Sequence, residues 1–526
     1  MIDTPVTTIE SSPVVLGAQS KNDWPPIWRR LALAVVMLVS IFMNFYQLGQ
    51  NGFGNLYYAS AIRSMLDSWH NFFFVSFDPG GFVSIDKPPL GFWLQAASAK
   101  IFGFTPFSIF LPQALAGVLS VLLLYYLVRH HFGVVAGLLA ALALAISPIS
   151  VLTNRNNTID STLVLVMLLG AWAVLRAAES GKLRWLLLCA VFVGLGFNIK
   201  MLEAYLVVPA YGLLYLLAAP RSIWARIGHL ALAALLMLTI SLSWAVAVDL
   251  TPAASRPYVG SSQNNSEISL ALGYNGIQRL LGQFGFGGSN AGSSTNGNTT
   301  RQFQPPSTSN GTSTGNFPQP GAGGTGQTPQ GLGGSTGSGG GSSGMFNTGN
   351  PGLLRLFNEP LGGQIVWLLS MALLGMLALA WQGRPRFRED RKQQSLILWG
   401  TWLLTMAVFF SIATFFHQYY LSTFAPAICA LFGIGVVVMW QDYRRSGWRG
   451  WLLPLALLLT ALEQIHIIIS NPSWGMWLIP LIAIPCAIVA AILFAARLMP
   501  RFRLHMPSCA IILLVDWSAA TPTLPQ

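Results

Sequence analysis

Trp185-Leu-Leu-Leu-Cys-Ala-Val-Phe-Val-Gly-Leu-Gly-Phe197 runs into Asn198-Ile-Lys-Met-Leu-Glu203, and then into Ala204-Tyr-Leu-Val-Val-Pro-Ala-Tyr-Gly-Leu-Leu-Tyr-Leu-Leu217. A bilayer core about 30 Å thick takes roughly 20 apolar residues of helix to cross. The stretch therefore reads as two short spans divided by the polar knot Asn198–Lys200. Working outward, comparable runs begin near Trp28, Phe107, Val134, Ile159, Trp185, Glu203, Ile227, Gln364, Ser395, Leu421, Trp451 and Gly475. The expected fold is an all-α polytopic bundle of about 12 transmembrane helices. A last apolar piece, Ser508 to Val515, is too short to cross and is expected to be a stub beside the membrane.

Composition agrees. Of 526 residues, 53% are apolar and 9% charged, against about 25% charged in soluble chains. A solvated surface cannot be built from that, which excludes a cytosolic enzyme, a secreted disulfide scaffold and a disordered chain. The four cysteines, Cys189, Cys429, Cys486 and Cys509, lie in apolar runs without CxxC spacing and read as small buried hydrophobes. The net charge of +12 would suit nucleic acid if it were clustered on one surface. Instead Arg29, Arg30, Arg129, Arg176, Lys182, Arg221, Arg226, Arg386, Arg391, Arg444 and Arg497 fall in alternate loops. By the positive-inside rule this places both termini in the cytoplasm, with no nucleic-acid partner. Leu31–Leu48 lacks a small-residue cleavage site and reads as a retained first span.

The expected organisation is a cytoplasmic tail (1–27), a membrane module (28–250) with a first external loop (49–105), a second external segment (251–363), further spans (364–497) and a short tail (498–526). Within the second segment, 283–350 is a Gly/Ser/Asn/Thr/Pro tract whose only charge is Arg301. It cannot bury enough apolar surface to fold and reads as a flexible tether.

Ionisable residues near membrane depth are costly and are functional candidates by default. In the first loop Leu56, Ala59, Ile62, Met65, Leu66 and Trp69 recur at helical spacing, the pattern of a helix lying in the interface plane. Arg63 and Asp67 are placed to pair at i,i+4. An interfacial anchor accounts for the stripe but not for Asn55, Tyr57 and Tyr58 at the exit of span one. Next, Asp78-Pro-Gly-Gly is turn chemistry. Asp86-Lys-Pro-Pro places a carboxylate and an ammonium just before a new helix. There an anion would meet the helix dipole and Lys87 together, and the carboxylate could act as a general base; the alternative is a capped turn with a local ion pair. Asp160, with Arg155 nearby, is either a helix N-cap or an active-site acid. Lys200 either holds a phosphate or pairs with Glu203. His417-Gln-Tyr419-Tyr420 either donates to an anion or forms an aromatic belt.

No GxxxxGK[ST], dinucleotide-binding GxGxxG, HExxH or GxSxG motif occurs, so nothing suggests ATP, a nucleotide sugar or zinc. No cofactor is specified, although carboxylates gathered on one face are compatible with a divalent cation. An enzyme working outside the membrane without nucleotides needs an activated substrate delivered there, which points to a lipid-linked donor.

Asn55-x-Tyr-Tyr, Ser68-Trp-His-Asn-Phe-Phe-Phe, Asp86-Lys-Pro-Pro-Leu-Gly, Leu354-Arg-Leu-Phe-Asn after a Gly-rich loop, Leu361-Gly-Gly-Gln and His417-x-Tyr-Tyr together resemble glycosyltransferase family 39. That family includes protein O-mannosyltransferases and lipid A aminoarabinose transferases, and the nearest likeness is to its bacterial mannosyltransferase branch. The likeness covers about residues 28–495. It implies a GT-C membrane fold with interfacial helices in the first external loop. It also implies inverting transfer of a sugar, mannose among the candidates, from a polyprenyl-phosphate donor to an acceptor hydroxyl of a cell-envelope lipid, glycan or protein. The site would face outward from a bacterial plasma membrane. The family's acid-Lys-Pro-Pro element lands on Asp86 and Lys87, and its acid at the head of span four lands on Asp160. One departure stands out: the family carries an acid at the start of the first loop, where this chain has Asn55, and an amide cannot take a proton. The base then falls to Asp86, with Asp160 and Asp78 as rivals. Lys87, Arg155, Lys200 and the His417, Tyr419, Tyr420 group would meet the leaving phosphate, and Asn55, Tyr57 and Tyr58 would orient the sugar. The reading from another class is a transporter or flippase for the lipid carrier.

Overall fold

The computed structural model describes residues 25–273, 348–383, 386–414, 416–445 and 447–498. Most of the expected tails and of the Gly/Ser-rich tract, the Ser508–Val515 piece and Cys509 lie outside the described residues.

In chain order the helices are α1 (Pro26–Phe45), α2 (Leu56–Met65), α3 (Trp69–Phe74), α4 (Leu90–Phe102), α5 (Pro106–Ile146), α6 (Pro148–Asn154), α7 (Asp160–Ser180), α8 (Leu183–Lys200), α9 (Val208–Ala218), α10 (Ile223–Leu250) and α11 (Glu267–Leu272). After the tract follow α12 (Glu359–Ile365), α13 (Leu369–Trp381), α14 (Arg391–Ile412), α15 (Ala425–Tyr443), α16 (Leu452–Ser470) and α17 (Leu478–Leu498). The architecture is all-α: among the described residues, extended pairing is confined to two isolated bridges.

Among the described residues, ten helical stretches are long and apolar enough to cross a membrane, fewer than the expected crossings, and two of them explain the difference. The stretch Leu183–Ala218 is 36 residues long, about 54 Å if straight. Yet the Arg221 guanidinium donates from Nε to the Gly181 carbonyl at 3.0 Å, so α8 and α9 run out and back. The reversal is at Lys200–Met201, where Met201 takes φ 46°, and a short 3-10 turn, Met201–Val207, leads into α9. In α5, Gly133 has φ 87°, a conformation glycine adopts without steric cost. A Cβ built on Gly137 would lie 2.9 Å from the Tyr125 carbonyl oxygen, a distance that a continuous helix forbids. Each of the two stretches is therefore a pair of limbs, and counting limbs gives the expected twelve.

α15 is enclosed along most of its length and packs on α5, α13 and α14. Its crossing with α13 is close: a Cβ on Gly375 would lie 2.5 Å from the Gly435 Cα, the small-residue contact that lets helices approach in lipid. α1, α10 and α17 form the periphery and turn Leu38, Leu235 and Ile484 outward, which suits a lipid-facing surface.

The apolar stripe of the first loop packs on protein on one side and opens outward on the other: Ala59, Ile62 and Met65 of α2 are buried in the bundle, while Leu56 and Trp69 are exposed. Ser68 accepts from the Asn71 N–H and starts α3 afresh, so the stripe is split between two helices with different faces. The Arg63–Asp67 pair forms as expected, at 3.0 Å on the exposed side.

Candidate active site

Five segments meet at one end of the bundle. Pro88 and Pro89 fix the backbone ahead of α4, and Asp86 and Lys87 precede them in a largely buried turn. The Lys87 ammonium donates to Asp86 Oδ2 at 2.5 Å and to the Asp86 carbonyl at 3.2 Å. α4 packs on the start of α7, a Cβ at Gly91 reaching Ile159 Cγ2 at 2.5 Å. Asp160 follows as the first residue of α7. It is not an N-cap, since Ile159 holds that position without side-chain capping. Its carboxylate, fully buried, pairs instead with Lys200 at the far end of α8.

Lys200 makes the expected pair with Glu203 and a second one that the sequence did not suggest. It binds Asp160 and also Glu203, at 3.0 Å, so one ammonium bridges two buried carboxylates. Its Nζ also sits 3.4 Å from the Tyr420 ring centroid and 4.9 Å from that of Tyr419, a cation–π arrangement. Buried charge is tolerable only when paired in this way. His417 stacks on Tyr419 with centroids 5.0 Å apart, and Tyr419 hydrogen-bonds Tyr58 from α2. Burial, with the negative charge of Asp86 adding to it, pushes the Tyr58 phenol well above its ordinary range, so this hydroxyl is a donor at any physiological pH.

The structure thus brings together Tyr58, Asp86, Lys87, Asp160, Lys200, His417, Tyr419 and Tyr420. Four other candidates have local tasks. Asn55 caps α2, accepting from the Tyr58 N–H at 3.3 Å, while its backbone exchanges two hydrogen bonds with the Asn157 amide. Tyr57 is half-exposed and stacks on Phe77. Asp78 accepts from the Phe82 and Val83 N–H groups, both at 3.0 Å, and shapes its own turn. Arg155 donates to the Met43 carbonyl at 3.0 Å and ties α6 to α1.

Two features escaped the sequence. The segment after α10 pairs with the first loop: Ser84 N–H donates to the Tyr258 carbonyl at 2.9 Å and Tyr258 N–H to the Phe82 carbonyl at 2.7 Å. The second is Glu267, the first residue of α11. It is fully buried, and neither carboxylate oxygen has a hydrogen-bond partner among the described residues. Burial, with Asp249 beside it, raises its pKa to about 8. A lone acid in Asn-Asn-Ser-Glu-Ile-Ser gives no sequence signal of this.

At the opposite end of α7, His130, His131 and Glu179 converge with their donor atoms within 4.8 Å of one another and could hold a divalent cation. His131 also reaches Ser395 Oγ at 2.6 Å. This set lies far from the carboxylate–lysine cluster, by about the length of α7.

Comparison with known proteins places these features in context. The dolichyl-phosphate-mannose-protein mannosyltransferase family model matches residues 86–244, which begins at Asp86 and takes in Asp160, Lys200 and Glu203. Two proteins of Bacillus subtilis (strain 168) are similar along most of the chain. "Putative mannosyltransferase YycA" is 42% identical, covering 94% of this chain and 76% of its own length. "Putative mannosyltransferase YkcB" is 41% identical, covering 94% and 75%. Among solved structures, ArnT from Cupriavidus metallidurans bound to undecaprenyl phosphate shares the fold, with a TM-score of 0.52 at 19% identity over 94% of this chain and 76% of that one.

Proposed function

The chain belongs to the bacterial mannosyltransferase family of YycA and YkcB, polyprenyl-phosphate sugar transferases of the GT-C superfamily, and from that premise we propose how its buried charges perform the transfer. It is a multi-pass membrane glycosyltransferase that moves a sugar from a polyprenyl-phosphate carrier to an extracytoplasmic acceptor. The observation that carries the assignment to this end of the bundle is the gathering of Asp86–Lys87 with the Lys200-bridged acids beneath Tyr58, Tyr419 and Tyr420.

In this reading the donor phosphate sits at Lys87, ahead of α4, where the ammonium and the helix dipole both favour an anion. Asp86 takes the acceptor's hydroxyl proton as the oxygen attacks the anomeric carbon. The carbon–oxygen bond to phosphate breaks, its electron pair leaves with the polyprenyl phosphate, and Lys87 balances the charge that builds there. Lys200, already committed to Asp160 and Glu203, fixes the floor of the site and presents Tyr419 and Tyr420. Tyr58 contributes a neutral hydroxyl to the sugar. A small apolar cavity of about 50 Å³, lined by Ala143, Ile146, Pro148, Leu368 and Ile428, lies beside this end of the bundle. It shares Gln364 with the site's edge, where the Gln364 amide bonds Gln418 Oε1 at 2.5 Å. The site faces outward, with the N-terminus in the cytoplasm, in line with the distribution of arginines. Mannose is the sugar this reading favours, and the acceptor is a hydroxyl of a cell-envelope lipid, glycan or protein. The charged cluster lies at a bundle end, not along a path through the midplane, which argues against a transporter.

The test is transfer from radiolabelled polyprenyl-phosphate mannose by the purified protein in detergent, with membrane extract as acceptor. Wild type moves label to a new species, and D86A loses that activity by about 100-fold or more. A D86A protein with wild-type turnover would remove Asp86 as the base.

A further inference from the structure

Glu267 is unused by the mechanism above, and its surroundings are unusual for a carboxyl group. It is fully buried, and no donor reaches either oxygen among the described residues. Its own backbone N–H is held by Asp249 Oδ1 at 2.8 Å, which fixes the residue at the head of α11. Two contacts aim α11 at the active site. α11 packs on the turn Met201–Val207, which carries Glu203 and follows Lys200. The chain just upstream, through Tyr258 and Gly260, pairs with Ser84, two residues before Asp86. The charged groups around Glu267 are therefore Asp249 from α10, Arg256 from the segment between α10 and α11, Asp86 and Lys87 from the first loop, and Lys200 with Glu203 from the α8–α9 reversal. Among these, Asp249, Arg256, Asp86 and Lys87 act on it electrostatically.

A buried carboxylate beside the lysine that holds a phosphate would repel that phosphate. A buried neutral carboxylic acid would do the opposite, since it has one O–H to donate and an unmet need for an acceptor. We propose that Glu267 is a neutral hydrogen-bond donor to the phosphate of the polyprenyl carrier, working beside Lys87. This rests on the functional reading above and adds a second phosphate ligand to it. Burial keeps the group protonated at neutral pH, with a pKa of about 8. Above that value the acid ionises and turns from donor into repellent. Direct hydrogen bonding to an anion also accounts for the lack of a side-chain partner to Glu267 among the described residues.

The test is binding of undecaprenyl phosphate to the full-length protein in detergent, measured from pH 6 to 9.5 for wild type, E267Q and E267L. Wild type binds, and its affinity falls about tenfold per pH unit above pH 8. E267Q keeps an N–H donor that does not titrate, so it binds like wild type at pH 7 and loses the alkaline fall. E267L binds about 10- to 100-fold more weakly at pH 7. An unchanged alkaline fall in E267Q would overturn the proposal even if E267L failed to fold, as would a folded E267L with wild-type affinity. Absence of binding by wild type at every pH would instead strike at the polyprenyl-phosphate reading itself.

Discussion

Replacing Lys200 by methionine tests the energetic core of the site. The substitution keeps an unbranched side chain, one atom shorter, and removes one positive charge from between Asp160 and Glu203, both buried. Deleting one partner of a buried ion pair typically costs about 3–5 kcal/mol, because the remaining charge has no compensation. Here two acids are stranded, so K200M is expected at the upper end of that range. Loss of the contact with the Tyr420 ring adds roughly 0.5–2 kcal/mol. The double variant D160N/K200M restores the net charge of the wild-type trio with a neutral amide in place of one acid. It is expected to recover about half of the loss. The assay is thermal unfolding in detergent followed by tryptophan fluorescence at pH 7. A K200M protein that melts with wild type, or a double variant no more stable than K200M, would refute the argument. Transfer activity separates structure from chemistry: if Lys200 only holds the floor, D160N/K200M regains turnover along with stability.

Two further outcomes follow from the same physics. A Cβ at Gly260 would run into the Ser84 carbonyl oxygen, so G260A breaks the pairing of the two loops; proteolysis of the folded protein between residues 76 and 84 is expected to rise, and transfer to fall, at nearly unchanged melting temperature. Glu267 contributes to stability in a pH-dependent way: its folded pKa of about 8 exceeds the ordinary carboxyl value of 4.5. The native state therefore keeps a proton that the unfolded chain releases as pH rises from about 4.5 to 8. Its contribution is fully present below pH 4.5 and declines by up to about 1.4 kcal/mol per pH unit until pH 8. Wild type minus E267Q stability, read from denaturant titrations at pH 5, 7 and 8.5, is expected to fall in that order, and a flat difference would contradict it.

The crossings were legible because lipid admits only apolar helix, so length and composition reveal them without any tertiary knowledge. Even the α5 reversal left a trace, the polar stretch Arg129-His-His ahead of Gly133. Asp86-Lys87-Pro-Pro was legible for the same local reason, its ion pair and its helix start being adjacent in sequence. What local reasoning could not reach depends on neighbours far along the chain. Lys200 was seen with Glu203 three residues away, but its bond to Asp160 requires α7 and α8 to lie side by side. The hydrogen bonds of Asn55 with the Tyr58 N–H and the Asn157 amide could not be read, because they are a matter of three-dimensional placement. For the α2 stripe, periodicity shows that a face is apolar but not that the bundle covers Ala59, Ile62 and Met65. Glu267 was invisible because its burial depends on α10, the first loop and the α8–α9 reversal at once.

The hydrogen bonds between the first loop and the segment after α10 also set an order of assembly. Ser84 and Gly260 are 176 residues apart, which at roughly 5–20 residues per second means about 10–35 s of synthesis separates them. Asp86 and Lys87 therefore emerge early, on a loop whose bracing strand has not yet been made. The newborn chain carries Lys87, the proposed phosphate ligand, through most of its insertion without the contacts that brace the turn, which form only after α10 has been made.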